Sequence, residues 1–323
     1  MKMWKIFAIP AIVLGIGLPT FRAEAQVDYG EYFDYPAVKG QSAYTFLKIA
    51  TSPRVVAMGE AFTAMTGGIE TLLSNPAGLG FMNKGEYVFG YTDWLVNSKI
   101  YTGALAYKVG SNVWAISVVN AKPEEVEETT IFQPLGTGRM ITASDLAVGL
   151  TFARQMTDKV SWGISARYIR EDLLLVTASS WDFDLGVTAY TGYKSVRVAA
   201  SARNIGSQVE VEVRPFNPPI SFNFGMAGEV WGEQGDPSYL TLAAETLFAT
   251  DFGSRWHFGA EYWLGNLFAL RGGYKTNTDV EKFSLGFGLK YAFGERDLRV
   301  DVSYSDGGND FGAPLRLSVG GAF

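Results

Sequence analysis

The chain lacks cysteine and contains a single histidine. With no cysteine among its 323 residues, it can form no disulfide, no thiolate metal site and no lipid anchor on an N-terminal cysteine. His257 alone cannot supply the several ligands of a typical metal site, and we expect no catalytic histidine pair around it. The net charge of −6 argues against a nucleic-acid partner. The composition therefore predicts neither an enzyme nor a cofactor-binding protein.

Long apolar runs are also missing. No segment after residue 25 holds 18 consecutive apolar residues, which excludes a spanning helix there. Residues 1–25 have the pattern of a secretory signal peptide, because Lys2 and Lys5 precede the apolar run 6–18 and Ala-Glu-Ala at 23–25 fits a cleavage site. A membrane anchor is the alternative, but the run is shorter than the ~20 residues needed to span. We expect the mature chain to begin after residue 25.

Alternation of apolar and polar residues is what the chain has in abundance. In 296–305, Leu298, Val300, Val302 and Tyr304 alternate with charged or small polar residues. Residues 314–323 repeat the pattern up to Phe323, which we interpret as a C-terminal barrel signal. A strand with one apolar and one charged face is typical of a barrel wall between lipid and a wet lumen.

Fourteen segments of about ten residues alternate in this way or have aromatic ends. They are 86–94, 100–109, 111–120, 143–155, 160–171, 179–191, 194–205, 219–231, 237–248, 254–264, 266–275, 282–293, 296–305 and 314–323. An open sheet in hydrocarbon would leave the backbone groups of its edges unsatisfied at several kcal/mol each. The sequence therefore predicts an all-β fold, a 14-stranded antiparallel transmembrane β-barrel over 86–323.

The connections between these segments alternate in length. Bacterial barrels have short periplasmic turns and longer external loops, so we expect the first strand to run outward and Phe323 to lie on the periplasmic side. The short connections are Gly110, 157–158, 192–193, 232–236, Gly265 and 294–295. The long ones are 121–142, 206–218 and 306–313.

The positions expected to face the lumen carry small side chains and charges of both signs. We expect these charges to pair with each other or with a plug rather than to bind a substrate. They are Arg167, Asp182, Asp184, Arg197, Arg203, Glu245, His257, Glu261, Arg271 and Arg299. Aromatic residues near strand ends predict belts at the two membrane interfaces. These are Trp94, Trp231, Trp256, Trp263, Tyr274 and Tyr304.

Residues 26–85 do not alternate, and we predict that they form a plug that enters the lumen from the periplasmic side. Pro76 disfavours a helical backbone conformation for Asn75, the residue before it, and Gly78 permits a tight turn. Three runs in this segment, 46–49, 54–64 and 75–79, resemble the N-terminal signature of PorV/PorQ-type outer-membrane proteins, within the superfamily of the FadL long-chain fatty acid transporters. The matching residues are Phe46, Leu47, Arg54, Met58, Gly59, Ala61, Phe62, Asn75, Pro76, Ala77, Gly78 and Leu79. Glu60 and Gly67-Gly68 depart from the family pattern.

The resemblance implies a role in the type IX secretion system of the bacterial outer membrane. Implied partners are outer-membrane lipid, other secretion-system proteins and cargo C-terminal signal domains. The protein partners would meet the external loops, 121–142 above all, and the periplasmic N-terminal segment. Loop 121–142 is acidic through Glu124, Glu125, Glu127 and Glu128, and the charge is equally well explained by a solvated loop. The alternative is passive uptake of a hydrophobic ligand such as a long-chain fatty acid, which predicts an apolar cavity beside the plug. A structural or general pore role is the third possibility.

Overall fold

The computed structural model describes residues 42–173, 176–211, 214–294, 296–308 and 312–323. The predicted signal peptide, 1–25, and the first part of the predicted plug, 26–41, lie outside the described residues. Within the described ranges, no helix combines the length and the apolar character needed to cross a membrane.

Fourteen antiparallel strands close into a barrel, which confirms the predicted fold. They are β1 Glu86–Asp93, β2 Lys99–Val109, β3 Asn112–Lys122, β4 Ser144–Gln155, β5 Val160–Asp172, β6 Thr177–Tyr190, β7 Arg197–Gly206, β8 Ser221–Trp231, β9 Tyr239–Ala249, β10 Arg255–Leu264, β11 Phe268–Lys275, β12 Phe283–Phe293, β13 Arg296–Ser305 and β14 Leu315–Ala322. Consecutive strands pair, and β14 pairs back onto β1 from Glu86↔Ala322 to Asp93↔Leu315. Closure leaves no unpaired edge.

Two short hairpins lie in the long loops. Val126–Glu127 pairs with Met140–Ile141 in the loop after β3. Val209–Val211 pairs with Arg214–Phe216 in the loop after β7.

The alternation directs large apolar side chains outward. On β12, Phe283, Leu285 and Phe287 are exposed while Ser284 between them is buried. The other strands of the barrel show the same alternation of exposed apolar and buried residues, so the outer surface is a continuous apolar band. A band of this extent requires an apolar surrounding medium.

The barrel has a turn end and a loop end, which we name by their connections. Gly110 and Gly265 make tight turns at the turn end with φ of +61° each, where glycine avoids a Cβ clash. The backbone N–H of Phe323 donates to the carbonyl of Gly85 at 2.9 Å, which places the C-terminal residue at the turn end. The long connections after β3, β7 and β13 lie at the loop end.

The predicted aromatic belts are partly wrong. Trp231, Trp256, Tyr274 and Tyr304 are exposed on the outer face. Trp263 is buried in the lumen, since it has the parity of the inward positions, and Arg271 lies 5.7 Å from its ring centroid. Trp94 is half-buried at the loop end, where Arg316 lies 5.0 Å from its ring. Proximity to a strand end does not decide which face a residue takes.

Residues 42–85, here called the lumen segment, run inside the barrel from the loop end to the turn end. Its elements are the 3-10 turns Thr45–Lys48, Ile69–Leu73 and Pro76–Phe81 and one short helix, α1, Pro53–Ala57. At the loop end Ser42 donates to Asp251 at 2.8 Å. At the turn end Lys108 donates to the carbonyl of Met82.

The lumen segment reaches farther than the sequence indicated. A plug entering from the periplasmic side would fill the turn end, yet Ala43, Tyr44 and Phe46 are buried against Ile100 and wall residues near the loop end. Apolar side chains of the lumen segment are stabilised most by burial against apolar wall residues, because that contact removes apolar surface from water. The wall has such residues near the loop end.

Candidate functional site

The lumen segment is attached to the wall by buried ion pairs. Arg54 donates from Nε and Nη2 to the two carboxylate oxygens of Glu261, each at 2.8 Å. Arg271 donates to the same carboxylate at 2.6 Å and also pairs with Asp301. Positive and negative side chains therefore alternate in the order Arg54, Glu261, Arg271, Asp301. Each buried charge has an opposite charge beside it, which offsets the cost of its burial.

Glu60 makes a second attachment, to Lys275 on β11 at 2.6 Å. It stands where the PorV/PorQ pattern has a small residue, and its φ of +62° is left-handed. Burial by itself would raise the pKa of the Glu60 carboxyl, but the Lys275 ammonium and the nearby His257 ring outweigh that and lower the pKa to about 2. Glu60 is therefore ionised at neutral pH.

Glu70 carries the third attachment. It pairs with Arg299 at 3.2 Å, and Arg299 also contacts Glu86 at 2.5 Å. Burial opposes ionisation of Glu70, but Arg299 and Arg54 together lower its pKa.

The family-like residues act in the turns of the lumen segment. The Asn75 side chain accepts from the N–H of Ala77 at 3.0 Å and donates to Thr188 on the wall at 3.0 Å. The Glu245 carboxylate accepts from the N–H groups of Phe62 and Thr63 at 2.9 and 2.8 Å. The structure buries Phe46, Arg54, Met58, Gly59, Ala61, Phe62, Asn75, Pro76, Ala77, Gly78 and Leu79, and leaves Leu47 half-buried.

Gly59 and Gly273 bring two backbones into contact. A Cβ on Gly273 would lie 1.9 Å from the nitrogen of Gly59, and Gly59 has a φ of +60°. Only glycine allows so close an approach at both positions. Here the lumen segment lies directly on the barrel wall.

The predicted lumenal charges lie inside the barrel, and most are paired. Arg167 donates to Asp182 at 2.9 Å and to Asp184 at 2.8 Å, and Arg197 donates to Glu229 at 3.0 Å. Several partners were absent from the sequence analysis although their parity places them inward. They are Glu86, Glu229, Lys275, Asp301 and Arg316.

A β-bulge sets Arg203 apart from the other lumenal charges. Asp184 on β6 faces both Arg203 and Asn204 on β7, so β7 has one extra residue there. Asn204 has a φ of +57° and uses its side chain to accept from Arg167 at 2.7 Å and to donate to the carbonyl of Pro219 at 2.9 Å. Arg203 has no hydrogen bond or ion pair with the residues described, and its Nε is buried.

The imidazole of His257 is also without a partner. It is 2 % exposed, and within the described part of the chain neither ring nitrogen has a hydrogen-bond partner. Trp256 and Phe258 on either side are exposed on the outer face, so His257 points into the lumen, as their parity indicated. No serine–histidine hydrogen bond is formed by the described residues.

A cavity of about 280 Å³ lies between the lumen segment and the wall. Arg203 and His257 both line it. Its apolar lining comes largely from the lumen segment, with Phe46, Leu47, Ile49, Val55, Leu72 and Leu73. The wall positions there are mostly small, including Gly90, Ala104, Ala147 and Ala249. Polar and charged groups, among them Glu60, Arg167 and Glu245, also line it, so the cavity offers a small molecule both apolar and polar contacts.

The hairpin after β3 presents an apolar tip to solvent. Phe132 and Leu135 are 92 % and 98 % exposed, while Glu124 and Glu125 lie exposed at its base. Exposed apolar groups of this kind are typical of contact surfaces for other molecules.

Comparisons with known proteins point to one fold. No family model and no curated protein matches the chain. The crystal structure of the Pseudomonas putida toluene transporter TodX has a TM-score of 0.62 and 14 % identity over 88 % of this chain and 99 % of TodX. The CymD monoaromatic hydrocarbon channel has a TM-score of 0.59 and 14 % identity over 85 % and 98 % of the two chains. This chain shares the barrel fold of TodX and CymD.

Proposed function

We propose that the protein is an outer-membrane channel that binds small hydrophobic molecules in the lumen cavity and lets them pass. The observation that carries the proposal is the cavity of about 280 Å³ with apolar groups of the lumen segment along one side. An apolar cavity of about 150 Å³ already holds benzene, so this one accommodates a larger compact ligand.

Two further features support this function over a general pore, and a third supports the location. The ion pairs of Arg54, Glu60 and Glu70 hold the lumen segment across the barrel, so the lumen is not a wide aqueous path. The fold is shared with a toluene transporter and a monoaromatic hydrocarbon channel. The apolar outer band suits the bacterial outer membrane, which the chain would reach through the signal peptide predicted at 1–25.

Filling the cavity tests the proposal. Ala249→Phe and Ala104→Phe place a ring in the cavity, whereas Ala202→Phe adds the same ring to the outer face, where Ala202 lies opposite Phe222. Cells producing each variant are supplied with radiolabelled toluene or 1-octanol, and initial uptake is measured. We expect both cavity variants to lose most of the uptake above the vector background, while Ala202→Phe retains it.

As a control, the folding of each variant is checked by the heat-dependent shift of the barrel's mobility on a gel. Equal uptake by folded wild type and folded cavity variants would refute the proposal. Mass spectrometry of the purified wild type adds an independent result, since a bound apolar compound lost in Ala249→Phe supports the cavity as its site.

A second candidate is the type IX secretion role implied by the PorV/PorQ resemblance of residues 46–79. The exposed apolar tip at Phe132 and Leu135 favours it, because a channel for small molecules has no need of such a surface. Deleting 126–141 should abolish saturable capture of a cargo C-terminal signal domain while leaving toluene uptake intact. Unchanged capture would argue against a docking role for this hairpin.

A further inference from the structure

The outer face of the barrel has a stretch where the outward side chains are short. Gly228 on β8, Ala244 on β9, Ala260 on β10 and Gly272 on β11 have the outward parity, yet they are half-buried among their neighbours. The register places Ala260 opposite Gly272, and Ala244 lies diagonal to both Gly228 and Ala260. The four positions therefore form a continuous low floor across four neighbouring strands.

Larger apolar side chains border this floor and make it a groove, here called the wall groove. Met226, Val230, Leu242, Phe258 and Tyr274 line it and are between 40 % and 58 % exposed. The wall groove has a volume of about 800 Å³, which lies within the range of about 300–1,000 Å³ typical of ligand sites. Because it lies in the apolar band, its occupant contacts hydrocarbon as well as the protein.

The wall groove reaches the turn end of the barrel at β8. The backbone N–H of Glu229 donates to the hydroxyl of Ser195 at 2.9 Å, so the turn after β6 lies against the last residues of β8. Trp231 and Tyr262 lie at the same level, with ring centroids 5.9 Å apart. Such aromatic residues are typical of the membrane interface, so this end of the groove lies at the height of lipid headgroups.

Charges of both signs lie at this end. The turn after β6 carries Lys194, and a Cβ on Gly192 in the same turn would lie 3.3 Å from Nζ of Lys159. The turn after β8 carries Glu233 and Asp236. All four charged side chains are exposed, and none forms an ion pair with another residue described. The end of the wall groove therefore has free positive charge on one turn and free negative charge on the next.

This combination matches a zwitterionic phospholipid. An acyl chain suits the apolar groove, a phosphate suits the lysines, and an ammonium group suits the carboxylates. A purely anionic lipid would leave Glu233 and Asp236 without a partner. The turn end faces the periplasm in the predicted orientation, and the periplasmic leaflet is the phospholipid leaflet of an outer membrane.

We propose that the wall groove binds one phosphatidylethanolamine molecule of the periplasmic leaflet. One acyl chain lies in the groove, the phosphate is bound by Lys159 and Lys194, and the ammonium group is bound by Glu233 and Asp236. This site is on the outer face, so it is separate from the lumen cavity and goes beyond the proposed channel function.

Native mass spectrometry tests this with the delipidated full chain in detergent, titrated with dioleoyl phosphatidylethanolamine or dioleoyl phosphatidylglycerol. Wild type should bind one molecule of the ethanolamine lipid several-fold more tightly than the glycerol lipid. Ala260→Phe places a ring on the floor of the groove and should lose this binding. Ala202→Phe adds the same ring to the outer face away from the groove and should bind like wild type.

The headgroup contacts are tested by removing charge. Lys159→Gln combined with Lys194→Gln should lower the affinity for the ethanolamine lipid about tenfold to thirtyfold, because each lysine near a lipid headgroup contributes about fivefold. Glu233→Gln combined with Asp236→Asn should bind the two lipids equally, because only the ethanolamine lipid uses the carboxylates.

Lys99→Gln combined with Lys282→Gln is the matched control, since both residues are exposed at the loop end, and it should bind both lipids like wild type. The folding of every variant is checked by its heat-dependent gel mobility. Equal affinity of wild type for the two lipids, wild-type lipid binding by Ala260→Phe, or unchanged affinity after loss of Lys159 and Lys194 would each overturn the inference. A lipid-free dimer of wild type that Ala260→Phe dissociates would also overturn it, because the groove would then bind a second copy of the chain.

Discussion

Arg54 in the lumen segment and Glu261 on β10 form a two-point ion pair across 207 positions of sequence, with both hydrogen bonds at 2.8 Å. Glu261 also accepts from Arg271, so one carboxylate bridges two guanidinium groups. The pair joins the lumen segment to the barrel wall at a place where Glu261 is fully buried and Arg54 is nearly so.

We expect Glu261→Gln to destabilise the protein by about 3–5 kcal/mol, because it leaves Arg54 and Arg271 buried with too little negative charge. The measurement is the denaturant midpoint of the detergent-solubilised chain. Arg170→Gln, at the exposed pair with Asp172, serves as the control and should leave the midpoint unchanged. Equal denaturant midpoints for Glu261→Gln and Arg170→Gln would show that the Arg54–Glu261 pair does not hold the lumen segment in place.

Two neighbouring glycines should respond differently to alanine. In Gly273→Ala the new methyl meets the backbone of Gly59, whereas in Gly272→Ala the nearest atom is a Leu285 methyl at 3.8 Å on the outer face. We expect Gly273→Ala to cost about 1–3 kcal/mol by overpacking. Gly272→Ala should be neutral or slightly stabilising. The measurement is the melting temperature of each variant. Equal melting temperatures would show that the lumen segment does not contact the wall at Gly273.

The Glu60–Lys275 pair should make stability depend on pH in the acid range. The pKa of Glu60 falls from its ordinary 4.5 to about 2, so its contribution is complete above about pH 4.5 and is lost as the pH falls toward 2. Wild type should therefore melt above Glu60→Gln near neutral pH, and the gap should close toward pH 2. Glu125→Gln, exposed in the loop after β3, is the control. A difference in melting temperature between wild type and Glu60→Gln that does not change with pH would contradict the low pKa of Glu60.

A designed disulfide should lock the lumen segment without closing the cavity. A Cβ on Gly225 would lie 3.4 Å from that of Ala64, near the usual ~3.8 Å of a disulfide. The chain has no cysteine of its own, so only Ala64→Cys with Gly225→Cys should gain a reducible cross-link, seen as a gel shift. Since neither residue lines the cavity, the oxidised form should bind 1-octanol like wild type. Loss of binding on oxidation would mean that this part of the segment must move.

The strands could be predicted because their signal is local. Alternation depends on neighbours within one strand, and in 282–293 and 296–305 it was enough to place β12 and β13 within a residue of their bounds. The weak alanine-rich pattern of β7 was harder, and that strand begins at Arg197 rather than 194. The aromatic belts failed at Trp94 and Trp263, because position near a strand end was weighed above parity.

The lumen was less predictable. A list of inward charges does not tell which will pair, since Arg54 and Glu261 or Glu60 and Lys275 meet only when the ring is closed around the segment. The bulge at Asn204 is one residue in excess on one strand, which no alternation pattern reveals. The PorV/PorQ assignment stays a prediction.

The sequence by itself determined a ribbon of fourteen two-faced strands, because side-chain parity and short turns are properties of adjacent residues. Only the tertiary structure decided where residues 42–85 lie, which lumenal charges neutralise each other, and that Arg203 and His257 are left facing a cavity. Those outcomes depend on closure, which brings side chains some two hundred positions apart within hydrogen-bond distance.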